Sequence, residues 1–192
     1  MTGSSDLIAI VSGLPRSGTS MMMQMIEAGG IPALVDGLRQ ADDDNPRGYY
    51  EFQPVKKTKH DASWLDGAPG KVVKMVYRLV YDLPPDRAYN VIFMRRRLEE
   101  VLASQAVMLA RLGKDEGALD RERMTALFEK QLADFDEWVA RQDRFSVLYV
   151  DHGDVIADPL REAKRVSEFL GGDMNAQAMA AVVAPSLYRQ RG

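Results

Sequence analysis

Apolar residues along the chain gather in short, nearly uniform runs separated by stretches of helical character. The first run, Leu7 to Val11, ends at Gly13, and "KVVKMV" from Lys71, "NVIFM" from Asn90 and "FSVLYV" from Phe145 repeat the theme. Runs of this length, almost without polar alternation, suit strands covered on both faces of a parallel sheet. Between and after them, Thr19 to Ala28, Leu98 to Leu112, Met124 to Arg141 and Pro159 to Leu170 read as helices. Gly29-Gly30 stops the first helix, while Asp158 can cap the last with Pro159 at its first position. The alternation predicts an α/β fold, a three-layer sandwich around a mostly parallel central sheet.

One segment breaks the pattern. From Val35 to Gly70 the chain is rich in Asp, Gly, Pro and aromatic residues and has weak periodicity. It predicts a loop-rich insertion, at about 35–70, lying over the sheet's carboxyl edge, where folds of this class bind ligands. The chain, 192 residues without internal repeats or low-complexity tracts, suits a single domain over 1–192.

Charge and composition narrow the chemistry. Asp plus Glu number 28 against 25 Lys plus Arg, so no sequence-wide field argues for nucleic acid or an anionic membrane as partner. Any anion site must be a local cluster. There is no cysteine, and His60 and His152 are the two histidines, which argues against disulfides, Cys nucleophiles and a His-rich metal centre. "LIAIVSGL" is too short to span a bilayer and follows no basic region, so the expectation is a cytoplasmic protein.

The candidate chemistry begins in "SGLPRSGTS", residues 12–20. Gly13, Gly18 and Ser20 fit the phosphate-binding pattern G-x-x-x-x-G-K-[ST], and strand, glycine loop and helix is the context that pattern needs. Backbone amides of such a turn, with the N-terminus of the following helix, form an anion nest. Gly18 allows close approach, and Ser17, Thr19 and Ser20 add hydroxyls. Thr19, however, stands where a nucleotide triphosphatase carries its lysine, and the positive charge has moved to Arg16 inside the loop. The bland alternative is a turn that only connects strand to helix.

"PRSGTS", from Pro15 to Ser20, resembles the 5′-phosphosulfate loop of sulfotransferases that use 3′-phosphoadenosine 5′-phosphosulfate (PAPS). The resemblance implies that Arg16 lies beside the 5′-phosphate and the bridging oxygen, stabilising charge as sulfate departs. It also implies transfer without a metal. A second match, "FMRRRLEEVLASQ" (93–105), is similar to the family's 3′-phosphate motif, an Arg at a strand end and a Ser eight positions later. Arg96 and Ser104 have that spacing, with Arg95 as an alternate because Arg97-Leu98 replaces the usual Asp-Pro. Three consecutive arginines could equally be a solvated run. "VLYVDHGDVIADPLREAKRVSEFLGG" (147–172) resembles the family's late strand and helix through Tyr149, Asp154, Asp158, Pro159, Phe169, Leu170 and Gly171. "DNPRGYYE" (44–51) looks like a segment of small bacterial members.

For the acceptor side, a hydroxyl needs a base to take its proton. Laid on "VVKMVYRLVYDLP", the Lys-Thr-His run of cytosolic sulfotransferases puts a lysine at Lys74 but Val76 in place of the histidine. The resemblance therefore gives Lys74 a leaving-group role and leaves the base open. Tyrosylprotein and heparan sulfotransferases use a glutamate, and Glu51 is the first candidate, before His60 and Asp61. Lys74 could instead snorkel from a strand end, Glu51 could pair with Arg47, and "KKTKHD" reads as an exposed polar face. Tyr49, Tyr50, Phe52, Trp64, Tyr77 and the methionines after the loop could line a pocket for a small hydrophobic or phenolic acceptor, or be core. The basic "SLYRQRG" end reads as a tail.

The expected function is transfer of a sulfuryl group from PAPS, as co-substrate, to a hydroxyl or amine of a small acceptor. The alternatives are a small-metabolite P-loop kinase and a nucleotide-binding module without turnover. Oligomeric state is left open, a homodimer included.

Overall fold

In a computed structural model of the chain, residues 8–38, 48–111 and 121–183 are described. Four strands are all parallel: β1 (Ile8–Gly13), β2 (Lys71–Lys74), β3 (Tyr89–Arg95) and β4 (Phe145–Asp151), in the order β2-β1-β3-β4. β1 is buried along its whole length, which is why its sequence is apolar without alternation. Ile8 and Ile10 enter one core and Ala9 and Val11 the other, so successive residues serve opposite faces of the sheet.

On the first face lie α2 (Tyr77–Val80), α3 (Leu98–Arg111) and α4 (Arg121–Val139). Phe135 and Val139 of α4 pack there on Phe93 and Phe145, with the Phe93 and Phe135 rings stacked at 4.7 Å between centroids. The second face is covered by α1 (Thr19–Ala28), α5 (His152–Ala157), α6 (Pro159–Phe169) and α7 (Ala176–Ala181). Met22, Met23 and Met25 of α1 are fully buried against that face, flexible side chains filling the gap between a cylinder and a twisted sheet. The predicted three-layer α/β sandwich is what forms. Asp158 caps α6 as expected, accepting from the Arg161 amide at 3.0 Å, with Pro159 at the first helical position.

Strand order dictates where a ligand can sit. The chain leaves β1 for β2 on one side and then crosses back to β3 on the other, so the connections diverge between β1 and β3. That crevice, beyond the carboxyl ends of those strands, is the topological switch point. The register brings the ends level: Val11 lies beside Lys74, Gly13 beside Met94, and Arg95 beside Asp151. Residues that follow these positions leave the sheet together at one edge.

Candidate active site

The turn after β1 is built to run tight against β3. A Cβ on Gly13, whose φ is +146°, would fall 2.6 Å from the Met94 carbonyl oxygen and 2.7 Å from Ser17 Oγ. Ser17, buried, gives both its amide (3.2 Å) and its hydroxyl (2.7 Å) to the Leu14 carbonyl. Both bonds close the turn. Pro15 is exposed on the turn. Gly18, at φ +97°, is the N-cap of α1, and Thr19 and Ser20 open the helix.

Arg16 is a non-glycine residue with φ +71°, a conformation that costs about 1–3 kcal/mol and persists where neighbours hold it. Two neighbours do. Arg16 Nε donates to Ser104 Oγ at 2.9 Å, and Arg96 Nη1 donates to the Arg16 carbonyl at 3.1 Å. The loop of β1 and the strand-helix junction of β3 and α3 thus meet at the switch point, joined by the three residues that the two motifs single out.

Arg96 is further fixed by Glu100 one helical turn on, Nε to Oε2 at 2.8 Å, with side-chain exposures of 10% and 5%. Arg95 and Arg97 go elsewhere. Arg95 pairs with Asp136 of α4 and lies 4.2 Å over the Tyr149 ring, on the opposite face; Arg97 is exposed beside Glu99. Of the three arginines, Arg96 is thus the one that touches the loop.

Lys74, the last residue of β2, turns into the same edge. Its Nζ lies 3.2 Å from Ser20 Oγ and donates to the Tyr49 carbonyl, which also receives the Ser20 hydroxyl at 3.4 Å. The stretch around Tyr49 is thereby tied to the glycine loop. An ammonium beside the final Ser of the loop stands where a nucleotide triphosphatase keeps magnesium.

Glu51 follows closely in sequence, half-buried, with Lys56 Nζ 3.6 Å away; Arg47, the partner weighed for it, and the rest of the first half of "DNPRGYYE" lie outside the described residues. His60 and Asp61 are exposed in the turn after a 3-10 helix (Gln53–Lys57). Asp61 accepts from the Ser63 amide at 3.0 Å at the start of the next 3-10 turn, and Ser63's hydroxyl and amide hold its pKa below the ordinary carboxylate value. That makes it a weaker proton acceptor. Among the aromatic residues, Tyr49, Trp64 and Tyr77 are buried, the last two in the first-face core, while Phe52 is only partly buried there. Tyr50, at φ +52°, gives its hydroxyl to Glu27 of α1 at 2.7 Å. Among the described residues no group of three or more His, Asp or Glu side chains could hold a metal ion, and no helix is long and apolar enough to cross a membrane. "SLYRQRG" lies outside the described residues.

His152 and Glu100 belong to this edge, although the motifs do not name them. His152 is the first residue after β4, buried, and a Cβ on Gly18 would fall 2.5 Å from its Cδ2. Burial, reinforced by the positive charge of Arg96 and opposed by Glu100, pushes its pKa down to about 4. The rule that singles out Arg96, a polar residue directly after an apolar strand, applies equally to His152.

A family model described as "Sulfotransferase domain" matches residues 7–190 of the chain. In fold the chain is similar to a sulfotransferase from Alicyclobacillus acidocaldarius of known crystal structure, with a TM-score of 0.50 and 17% identity over 86% of this chain and 81% of that one. At that identity the likeness concerns the fold alone. No curated protein matches the chain significantly.

Proposed function

The chain belongs to the sulfotransferase domain family, and we propose that its donor is PAPS, from which it moves a sulfuryl group to a hydroxyl of a small acceptor, in line and without a metal. The observation that carries this reading is the contact of Arg16 with Ser104 and Arg96 at the switch point. The loop suited to a 5′-phosphosulfate and the pair suited to a 3′-phosphate converge there. A bisphosphorylated nucleoside has the charges to engage both, since each guanidinium can offer forked, charge-assisted bonds.

In transfer, the acceptor oxygen bonds to sulfur as the bond from sulfur to the 5′-phosphate oxygen breaks, and that oxygen keeps the electron pair. Arg16, within the loop, and Lys74, bonded to Ser20, are the cations available to that developing charge. A preset ammonium serves this purpose without a magnesium clamp, because the departing group is a single phosphate and not a triphosphate tail. The acceptor's proton must pass to a base, and Glu51 is our assignment, two residues beyond the Tyr49 carbonyl that Lys74 holds. Val76, 43% exposed just beyond Lys74, supports an acceptor with an apolar or phenolic body.

The test is incubation with PAPS carrying radioactive sulfur and a panel of phenols and aliphatic alcohols, with and without EDTA. Labelled product that survives chelation is expected with at least one phenol. Transfer abolished by EDTA would contradict the metal-free reading, and tight nucleotide binding without product on any acceptor would favour a binding module.

A further inference from the structure

We propose that His152 is a positioning residue that sets the separation of the two phosphate-binding elements, and with it the preference for a nucleoside carrying both a 5′- and a 3′-phosphate. The inference rests on the donor reading given above. His152 directly follows β4, two strands away from β1 in the sheet order, yet its ring reaches the first loop. A methyl group on Gly18 would land 2.5 Å from Cδ2 and 3.5 Å from both Cγ and Nε2. The ring therefore fills the space that a side chain at position 18 would need. It makes a wall behind the residue whose left-handed conformation, φ +97° and ψ 15°, starts α1.

The imidazole is also near enough to Arg96 and Glu100 for both charges to act on it. Arg96 in turn holds the Arg16 carbonyl. His152 is thus tied by contact to the glycine that shapes the 5′ element and by register to the arginine that presents the 3′ element. The register explains how it gets there: Arg95 lies beside Asp151, so Arg96 and His152 leave the sheet side by side. Burial keeps the ring uncharged at neutral pH, so it spaces these elements without repelling Arg96. A flat uncharged ring is what the place requires; a smaller side chain would let the loop and Arg96 approach independently.

The test compares calorimetric dissociation constants for 3′-phosphoadenosine 5′-phosphate and for AMP, and reads their ratio. His152→Ala is expected to lower the preference for the bisphosphate about tenfold, with a smaller change in AMP affinity. His152→Phe, which keeps a flat ring, should restore the ratio to within about threefold of the unaltered protein. Gly18→Ala approaches the same contact from the loop side: it keeps the histidine but forces ring and loop apart, since the new Cβ would fall 2.5 Å from Cδ2. It is expected to reduce the ratio as His152→Ala does, and combining the two should bring less than the product of their effects.

Near-ultraviolet circular dichroism establishes that each variant is folded. If folded His152→Ala keeps the full ratio, or Phe restores nothing, His152 is only a packing residue and the inference is overturned. If the unaltered protein shows no preference for the bisphosphate, the donor reading itself fails and the inference falls with it, a result distinct from the first.

Discussion

Arg96→Ala would remove a ligand contact and also break a buried ion pair, and the two effects can be separated. Glu100 has 5% of its side chain exposed and meets Arg96 Nε at 2.8 Å. Deleting the arginine takes this partner from a buried carboxylate, and breaking a buried pair costs about 3–5 kcal/mol, a large part of the roughly 5–15 kcal/mol by which a domain is stable. For contrast, Lys130 and Asp134 make an i,i+4 pair at 3.0 Å that is more than half exposed, and Lys130→Ala should cost no more than about 0.5 kcal/mol. Replacing both buried partners by apolar groups, as in Arg96→Met with Glu100→Leu, should recover most of the loss, since no charge then stays behind. Urea unfolding of the three variants measures these differences. The double variant then loses the phosphate contact together with the bond from Arg96 to the Arg16 carbonyl; the phosphate bond by itself is worth about 1.5–3 kcal/mol, so the preference for a 3′-phosphate should fall by at least roughly 10-fold. Unfolding of Arg96→Ala at the same urea concentration as the unaltered protein would overturn the buried-pair assignment, and unchanged bisphosphate binding by the double variant would overturn the phosphate contact.

Other substitutions probe the rest of the edge. Lys74→Met should lower kcat about 100- to 1000-fold, the usual cost of removing one preset donor to developing charge, with donor affinity changed far less; single-turnover kinetics separates the two. Glu51→Gln should depress kcat by about two to four orders of magnitude with donor affinity unchanged, as expected of a general base, and a loss under tenfold would place the base elsewhere. His152 predicts a stability profile. Its folded pKa of about 4 lies below the ordinary imidazole value of 6.5, so the unfolded chain binds the proton more readily. The neutral ring's contribution is complete above about pH 6.5 and is lost as pH falls towards 4, about 3 kcal/mol in all. Urea midpoints of His152→Phe should fall less steeply over that interval than those of the unaltered protein.

The strands were legible because burial on both faces left the sequence almost no choice but apolar residues, and the longer helices because Gly29, Asp158 and Pro159 mark their ends. Short elements were not. α5 is six residues long and contains Gly153, and its start depends on Asp151 accepting the Gly153 amide at 2.7 Å, a local bond that leaves no periodic trace. α2 has four residues and no side-chain cap. At the edge, a resemblance in spacing was enough to name Arg16, Arg96 and Ser104, which touch one another. Glu100 and His152 escaped it because their place follows from the β3–β4 register and from the fit against Gly18, both tertiary facts. The aromatic residues left two readings open in the sequence, pocket lining and core. Tyr49, Trp64 and Tyr77 sit in a polar, loop-like stretch or beside it, yet they are buried, serving as anchors that hold irregular backbone onto the sheet.

The central claim is that two phosphate-binding elements, held together through Arg16, act on one nucleoside. Calorimetric titration of the unaltered protein with 3′-phosphoadenosine 5′-phosphate, and separately with AMP and ADP, tests it most directly. The 3′-phosphate is expected to tighten binding about 10- to 150-fold over AMP, and the β-phosphate of ADP not to substitute for it. Equal affinity for AMP and the bisphosphate, or a clear preference for ADP, would contradict it.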